Sequence, residues 1–185
     1  MYKYLLSIPL ILFPYLLLFS LYCLLTGFLM AEVFANNVYI LLLMLIAFAL
    51  IAFVCSLVMI VLALVKKEDS LALARLNMVV KLCHVPAYIA IFILSVIFLL
   101  TVLGIGFVFV FAIADAFSIV MSGIYGAIAA WAGHRQNTLK TECVALGILQ
   151  FVYCADVVAC IVMYVKVRKG KRAQTECTLE SNPVG

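Results

Sequence analysis

Two aspartates, Asp115 and Asp156, interrupt otherwise apolar stretches of this chain. An acid in hydrocarbon is costly, so an intramembrane carboxylate is a functional candidate by default. The sequence midpoint of the two falls in the polar stretch His134-Arg135-Gln136-Asn137. If the flanking segments form an antiparallel helical hairpin, equal residue counts at about 1.5 Å rise place both side chains at one depth in the bilayer. Two carboxylates that meet in a low dielectric cannot both ionise cheaply, so they share a proton or hold a cation. That is proton-relay or cation-site chemistry, with Tyr153 on the second segment as a hydroxyl partner. The structural alternative is that each acid is protonated or hydrogen-bonded alone and fixes helix register.

A polar line accompanies them. At about 100° per residue, Asn77, Lys81, His84, Tyr88 and Ser95 fall on one helical stripe entering the membrane from one surface. Asn77 and Lys81 read as interfacial, the lysine snorkelling to water, which leaves His84, Tyr88 and Ser95 to explain. They are either interhelical hydrogen-bonding groups or a water-lined entry to a site. His84 lies near the start of its segment and the aspartates in the far half of the membrane, so a direct triad is not expected. Pro86 beside the line removes a backbone donor and frees a carbonyl one turn earlier.

The third pattern is a ridge of small residues, Ala114, Ser118, Ser122, Gly126 and Ala130, at strict four-residue spacing. Small side chains let a second helix approach closely, within the chain or between chains. Asp115 borders this ridge, about 20° from Ser122 on the helical wheel.

Other chemistries lack their residues. There is no H-E-x-x-H, G-x-S-x-G, phosphate-binding loop or dinucleotide fingerprint. Seven cysteines occur without a C-x-x-C, five of them inside apolar segments, and Cys83 and His84 point about 100° apart on a helix. They read as small buried hydrophobes, so no metal, cofactor or disulfide framework is expected. An intramembrane aspartyl enzyme built on Asp115 and Asp156 is conceivable in principle, since a dyad can share a proton, but nothing else in the sequence supports one.

The elements that must position these residues follow from composition. The chain of 185 residues is 69% hydrophobic and 11% charged, against roughly 45–50% and about 25% for soluble domains. Apolar stretches of this length span a hydrocarbon core of about 30 Å as helices, which satisfy their own backbone in lipid; the alternation of a β-barrel is absent. The expectation is an all-α, polytopic transmembrane bundle of about five helices, over residues 4–31, 38–65, 76–102, 106–132 and 140–166. Gly104 and Gly106 mark the bend between the third and fourth, because Leu82 to Ala132 is too long for one crossing. The first run exceeds a signal-peptide core, so it reads as a retained helix, kinked by Pro9 and Pro14 or re-entrant.

Residues 1–172 read as one helical domain, followed by a polar tail, 173–185, expected to be poorly ordered. The basic run Lys166-Val-Arg-Lys-Gly-Lys-Arg is a stop-transfer flank or a surface for anionic headgroups. Five crossings set Lys3, Lys66, Lys67, Arg75, Lys81, Arg135 and Lys140 against Lys166, Arg168, Lys169, Lys171 and Arg172. Seven against five weakly favours a cytoplasmic N-terminus and leaves a basic cluster outside, so the first segment is re-entrant, the C-terminus is inside, the topology is mixed, or a boundary among the last three helices is misplaced.

Three stretches, Lys81-Leu-Cys-His-Val-Pro-Ala-Tyr-Ile, Gly104-Ile-Gly-Phe with Asp115 downstream, and Gly147-Ile-Leu-Gln-Phe-Val-Tyr-Cys-Ala-Asp156, resemble an uncharacterised family of small multi-pass bacterial membrane proteins. The resemblance covers roughly residues 75–172 and implies an integral protein of a bacterial cytoplasmic membrane, with no activity to carry over. The sequence thus leads to a non-enzymatic membrane bundle whose partners are the bilayer and either further copies or partner helices, with no nucleic acid. Its leading role is an accessory or scaffold bundle using the ridge. The alternative is a proton- or cation-coupled carrier of small solutes using the aspartates.

Overall fold

The computed structural model describes residues 2–27, 31–32, 34, 36–101, 104–139, 142–152 and 155–181. They are helical almost throughout, with no strand among them. The helices are α1 (Tyr2–Thr26), α2 (Val38–Val65), α3 (Ser70–Leu99), α4 (Gly104–Arg135), α5 (Glu142–Leu149) and α6 (Ala155–Ser181). Among the described residues, the four helices α1 to α4 are long and apolar enough to cross a membrane. An all-α bundle with several membrane-type helices is therefore the architecture.

Most boundaries have a local cause. Helix α1 stops at Thr26 because Gly27 takes a left-handed φ of 65°, the conformation that glycine adopts without a Cβ penalty at a helix C-terminus. Helix α3 begins at Ser70, earlier than the expected 76, behind Glu68 and Asp69. The Gln136 side chain caps this start: its Oε1 accepts from the Ser70 amide at 3.1 Å and from the Ser70 hydroxyl at 2.7 Å. Helix α6 continues past Arg172, through much of the tail read as poorly ordered, to Ser181.

The largest departure lies in the fifth segment. The single helix expected over 140–166 is two helices, α5 and α6, separated by a turn at 150–152. The chain reverses there: Lys166 of α6 is ion-paired with Glu142 at the start of α5, residues that one straight helix would hold about 36 Å apart. The equal-depth arithmetic for Asp115 and Asp156 assumed an unbroken helix, so it does not apply.

Within the helical domain read over residues 1–172, the structure distinguishes two compact units, one of Met1–Met59 with Cys83–Met121 and one of Ile60–Leu82 with Ser122–Gly185. The first is held by an apolar cluster of Leu17, Leu21, Ile91 and Phe111, and by an edge-to-face pair of Phe13 and Phe117 at 5.2 Å. It also contains the repair of a proline break, and a second hydrogen bond between the same two helices. Pro14 has no N–H, so the Leu10 carbonyl of α1 loses its helical donor. His84 Nε2 of α3 donates to that carbonyl at 3.0 Å. In return, the Tyr15 hydroxyl of α1 donates at 2.6 Å to the Cys83 carbonyl, three residues before Pro86. A carbonyl only accepts, so Nε2 carries the proton, while the Tyr88 hydroxyl lies 3.3 Å from Nδ1 on the other side of the ring.

The second unit is built from the first turns of α3, the second half of α4, and the α5–α6 hairpin. Lys171 of α6 pairs with Asp69 ahead of α3. The Gln174 amide donates to the Gln136 carbonyl at 2.9 Å. Gly170 passes so close to Thr138 that a Cβ there would lie 2.7 Å from the Thr138 carbonyl oxygen.

Candidate functional site

At the α5–α6 break four fully buried polar side chains converge: Asn77, Lys81, Gln150 and Asp156. Asn77 and Lys81 are one turn apart on α3, hence on one face. The Lys81 ammonium donates to Asp156 Oδ2 at 2.8 Å and to the Gln150 backbone carbonyl at 3.0 Å. The Asn77 amide donates to Gln150 Oε1 at 3.2 Å.

Glycines make the room. A Cβ on Gly126 would overlap the Gln150 side chain, and one on Gly123 would lie 2.8 Å from the Phe151 ring and 3.1 Å from the Gln150 carbonyl. The turn itself is tightened by bonds spanning three residues, Phe151 N–H to Ile148 at 3.0 Å and Val152 N–H to Leu149 at 3.3 Å. Irregular backbone at membrane depth is tolerated only where protein covers it and satisfies it. Lys81 does so for Gln150.

The electrostatics are complementary twice over. The carbonyl end of α5 carries the partial negative charge of its dipole and faces the lysine cation. The amide end of α6 carries partial positive charge, and Asp156 sits in its first turn. Each member of the ion pair thus meets its opposite both in the other side chain and in a helix end.

One donor and one acceptor stay over. Asn77 Oδ1 and Gln150 Nε2 are buried without a hydrogen-bond partner among the described residues. Exchanging O and N in both amides reverses the bond between them and again leaves one donor and one acceptor. Buried polar groups in native proteins are nearly always paired, and these two atoms are exceptions to that rule.

The sequence-derived candidates are distributed differently from their expected grouping. Asp156 has Lys81 as its partner. Asp115, half-buried on α4, belongs to the first unit, and Tyr153 lies outside the described residues. His84 and Tyr88 serve the proline repair in the first unit, and Ser95 is half-buried further along α3. Of the ridge, Ser118, Ser122, Gly126 and Ala130 are buried by the chain itself and Ala114 is half-buried. The ridge is an internal packing face in which Gly126 seats Gln150.

Lys81 is the main correction: it does not snorkel. A helix starting at Ser70 puts Lys81 about 16 Å along the axis, too deep for its side chain to reach the surface from which the helix starts. The Glu68-Asp69-Ser70 signal for a helix start was present in the sequence, and reading it would have moved Asn77 and Lys81 from the interface to the interior. Gln150 had a weaker signal, as a lone amide in an apolar run.

No family model, curated protein or solved structure matches the chain.

Proposed function

We propose that this protein is a small carrier of the bacterial cytoplasmic membrane, in which movement of a proton or cation is coupled to the buried Lys81–Asp156 pair. The observation that carries this reading is that fully desolvated ion pair at the break between two half-helices. Ionisable groups in membrane segments mark ion and proton pathways, and carriers commonly place their sites where interrupted helices turn dipole ends inward. A structural role explains the pair less well, because replacing a buried ion pair by packed apolar residues is usually neutral or stabilising.

Topology supports the same reading. With α1 to α4 as the crossings, α5 and α6 form a re-entrant hairpin that dips to the level of Lys81 and returns. The N-terminus, the 66–69 turn and the segments after α4 then share one side, together with Arg75 in the first turns of α3. Eleven of the 12 lysines and arginines belong to that side, with Lys81 deeper in α3, while the opposite loops, 27–37 and 100–103, carry one charge, Glu32. The positive-inside rule makes that side cytoplasmic, and the conflict that five crossings create disappears. The scaffold reading, by contrast, loses the face it relied on, since the small-residue ridge is filled from within the chain.

The test is proton flux into pyranine-loaded proteoliposomes under an imposed pH gradient and potential. Wild type exceeds protein-free vesicles, and Lys81→Met/Asp156→Leu, which removes both charges and keeps the fold, returns flux to the vesicle baseline. Wild-type flux at the baseline, or undiminished flux in the folded double variant, overturns the proposal.

A further inference from the structure

Beside the hairpin, the second unit has a groove of about 900 Å³ between α4 and α5, at the upper end of the roughly 300–1,000 Å³ typical of ligand sites. Its walls are apolar, with Ala127, Ala130 and Trp131 on one side and Gly147, Ile148 and Phe151 on the other. A Cβ at Gly147, on its wall, would meet nothing within 4 Å. Polar groups gather at one end, where α4 finishes, in His134 and Asn137. Next to His134, the Arg135 guanidinium lies 4.9 Å from the centre of the Trp131 ring, a cation held over the aromatic residue that lines the slot.

We infer that this groove binds one anionic phospholipid, its acyl chain along the Ala130–Gly147 slot and its headgroup phosphate at Arg135. The occupant is specified by polarity and charge. A soluble metabolite would leave the long apolar wall unmatched, and a partner helix would not need a cation at one end only. A lipid presents an apolar chain and a negative head in that order. The cytoplasmic leaflet supplies anionic lipids, and Arg135 lies on the side that carries eleven of the 12 basic residues of the chain. The inference rests on the groove and Arg135, and it stands whether or not the ion pair carries flux.

Trp131 is the single tryptophan of the chain and lines the groove, so its fluorescence reports occupancy without labelling. The protein is reconstituted in phosphatidylcholine vesicles doped with a low, matched mole fraction of brominated phosphatidylglycerol or brominated phosphatidylcholine. Brominated phosphatidylglycerol is expected to quench Trp131 with an apparent affinity about fivefold higher, the size of one cationic contact with an anionic headgroup. Arg135→Gln removes that headgroup preference. Gly147→Leu and, independently, Ala127→Phe fill the slot and reduce quenching by either lipid to the level set by bulk mole fraction. Equal quenching by the two lipids in wild type, or an anionic excess that persists in both filled variants, overturns the inference. So does protection from both lipids that deepens with protein density, the signature of a second copy in the groove.

Discussion

The two units treat polar groups inside apolar helices in opposite ways. In the first, His84 and Tyr15 each donate to a backbone carbonyl across the two helices, beside Pro14 and Pro86. The result is a brace between α1 and α3. In the second, Lys81 and Asp156 bring full charges into the interior, and Asn77 and Gln150 leave a donor and an acceptor over. The same stripe of α3 runs through both, so spacing on a helix does not tell a brace from a site. What distinguishes them is whether the facing backbone consumes the polar groups.

The sharpest way to break this contrast is to remove one charge. Asp156→Asn and Lys81→Met are each expected to lose about 3–5 kcal/mol of stability, because an uncompensated charge or an unfilled partner is left buried. Lys81→Met/Asp156→Leu recovers most of that loss. Unfolding in mild detergent with graded SDS measures all three, and additive single effects would show that the pair is not coupled.

Next in size, Gly126→Ala forces a methyl into the Gln150 side chain and is expected to cost about 1–3 kcal/mol, as overpacking does. A companion Gln150→Ala relieves the clash. A silent Gly126→Ala in the same assay would place Gln150 elsewhere.

The brace should respond more weakly. His84→Ala deprives the Leu10 carbonyl of its donor and costs about 1 kcal/mol, the scale of interhelical hydrogen bonds in membranes. Pro14→Ala restores a backbone N–H to that carbonyl, so His84→Ala/Pro14→Ala returns toward wild type. If the proline change fails to rescue, proline repair is not what the histidine does. Smallest of all, Lys171→Ala or Asp69→Ala breaks an ion pair whose members are partly exposed, 33% and 43% for their side chains, and shifts stability by about 0.5 kcal/mol or less, with a loss that shrinks in high salt.

Much of the frame was legible in the amino-acid order. Apolar length and the lack of strand alternation predict helices, and the structure has α2 over Val38–Val65, as the apolar run predicts. Pro9, Pro14 and Pro86 announce open carbonyls, and the sequence leaves His84 as either an interhelical hydrogen-bonding group or part of a water-lined entry. The candidate site was legible only in part. Asp156 was visible as an acid in an apolar run, but its partner was misread because the start of α3 was placed six residues late. The hairpin was hidden for a different reason: two apolar pieces on either side of Gln150 and Asp156 add up to the length of a span, and length alone does not distinguish one crossing from a reversal.

Composition and local patterning determined the membrane-type helical class, the proline positions and the presence of buried charge, because these depend on the chain's own hydropathy and dihedral preferences. Tertiary structure decided that Asp156 meets Lys81, that Gly126 makes room for Gln150 and that the last apolar segment turns back. Those outcomes depend on which backbone ends and charges meet across sequence separations of 69 and 75 residues. The free energy of desolvating a charge is recovered only where such partners converge in space, and local sequence carries no record of that convergence.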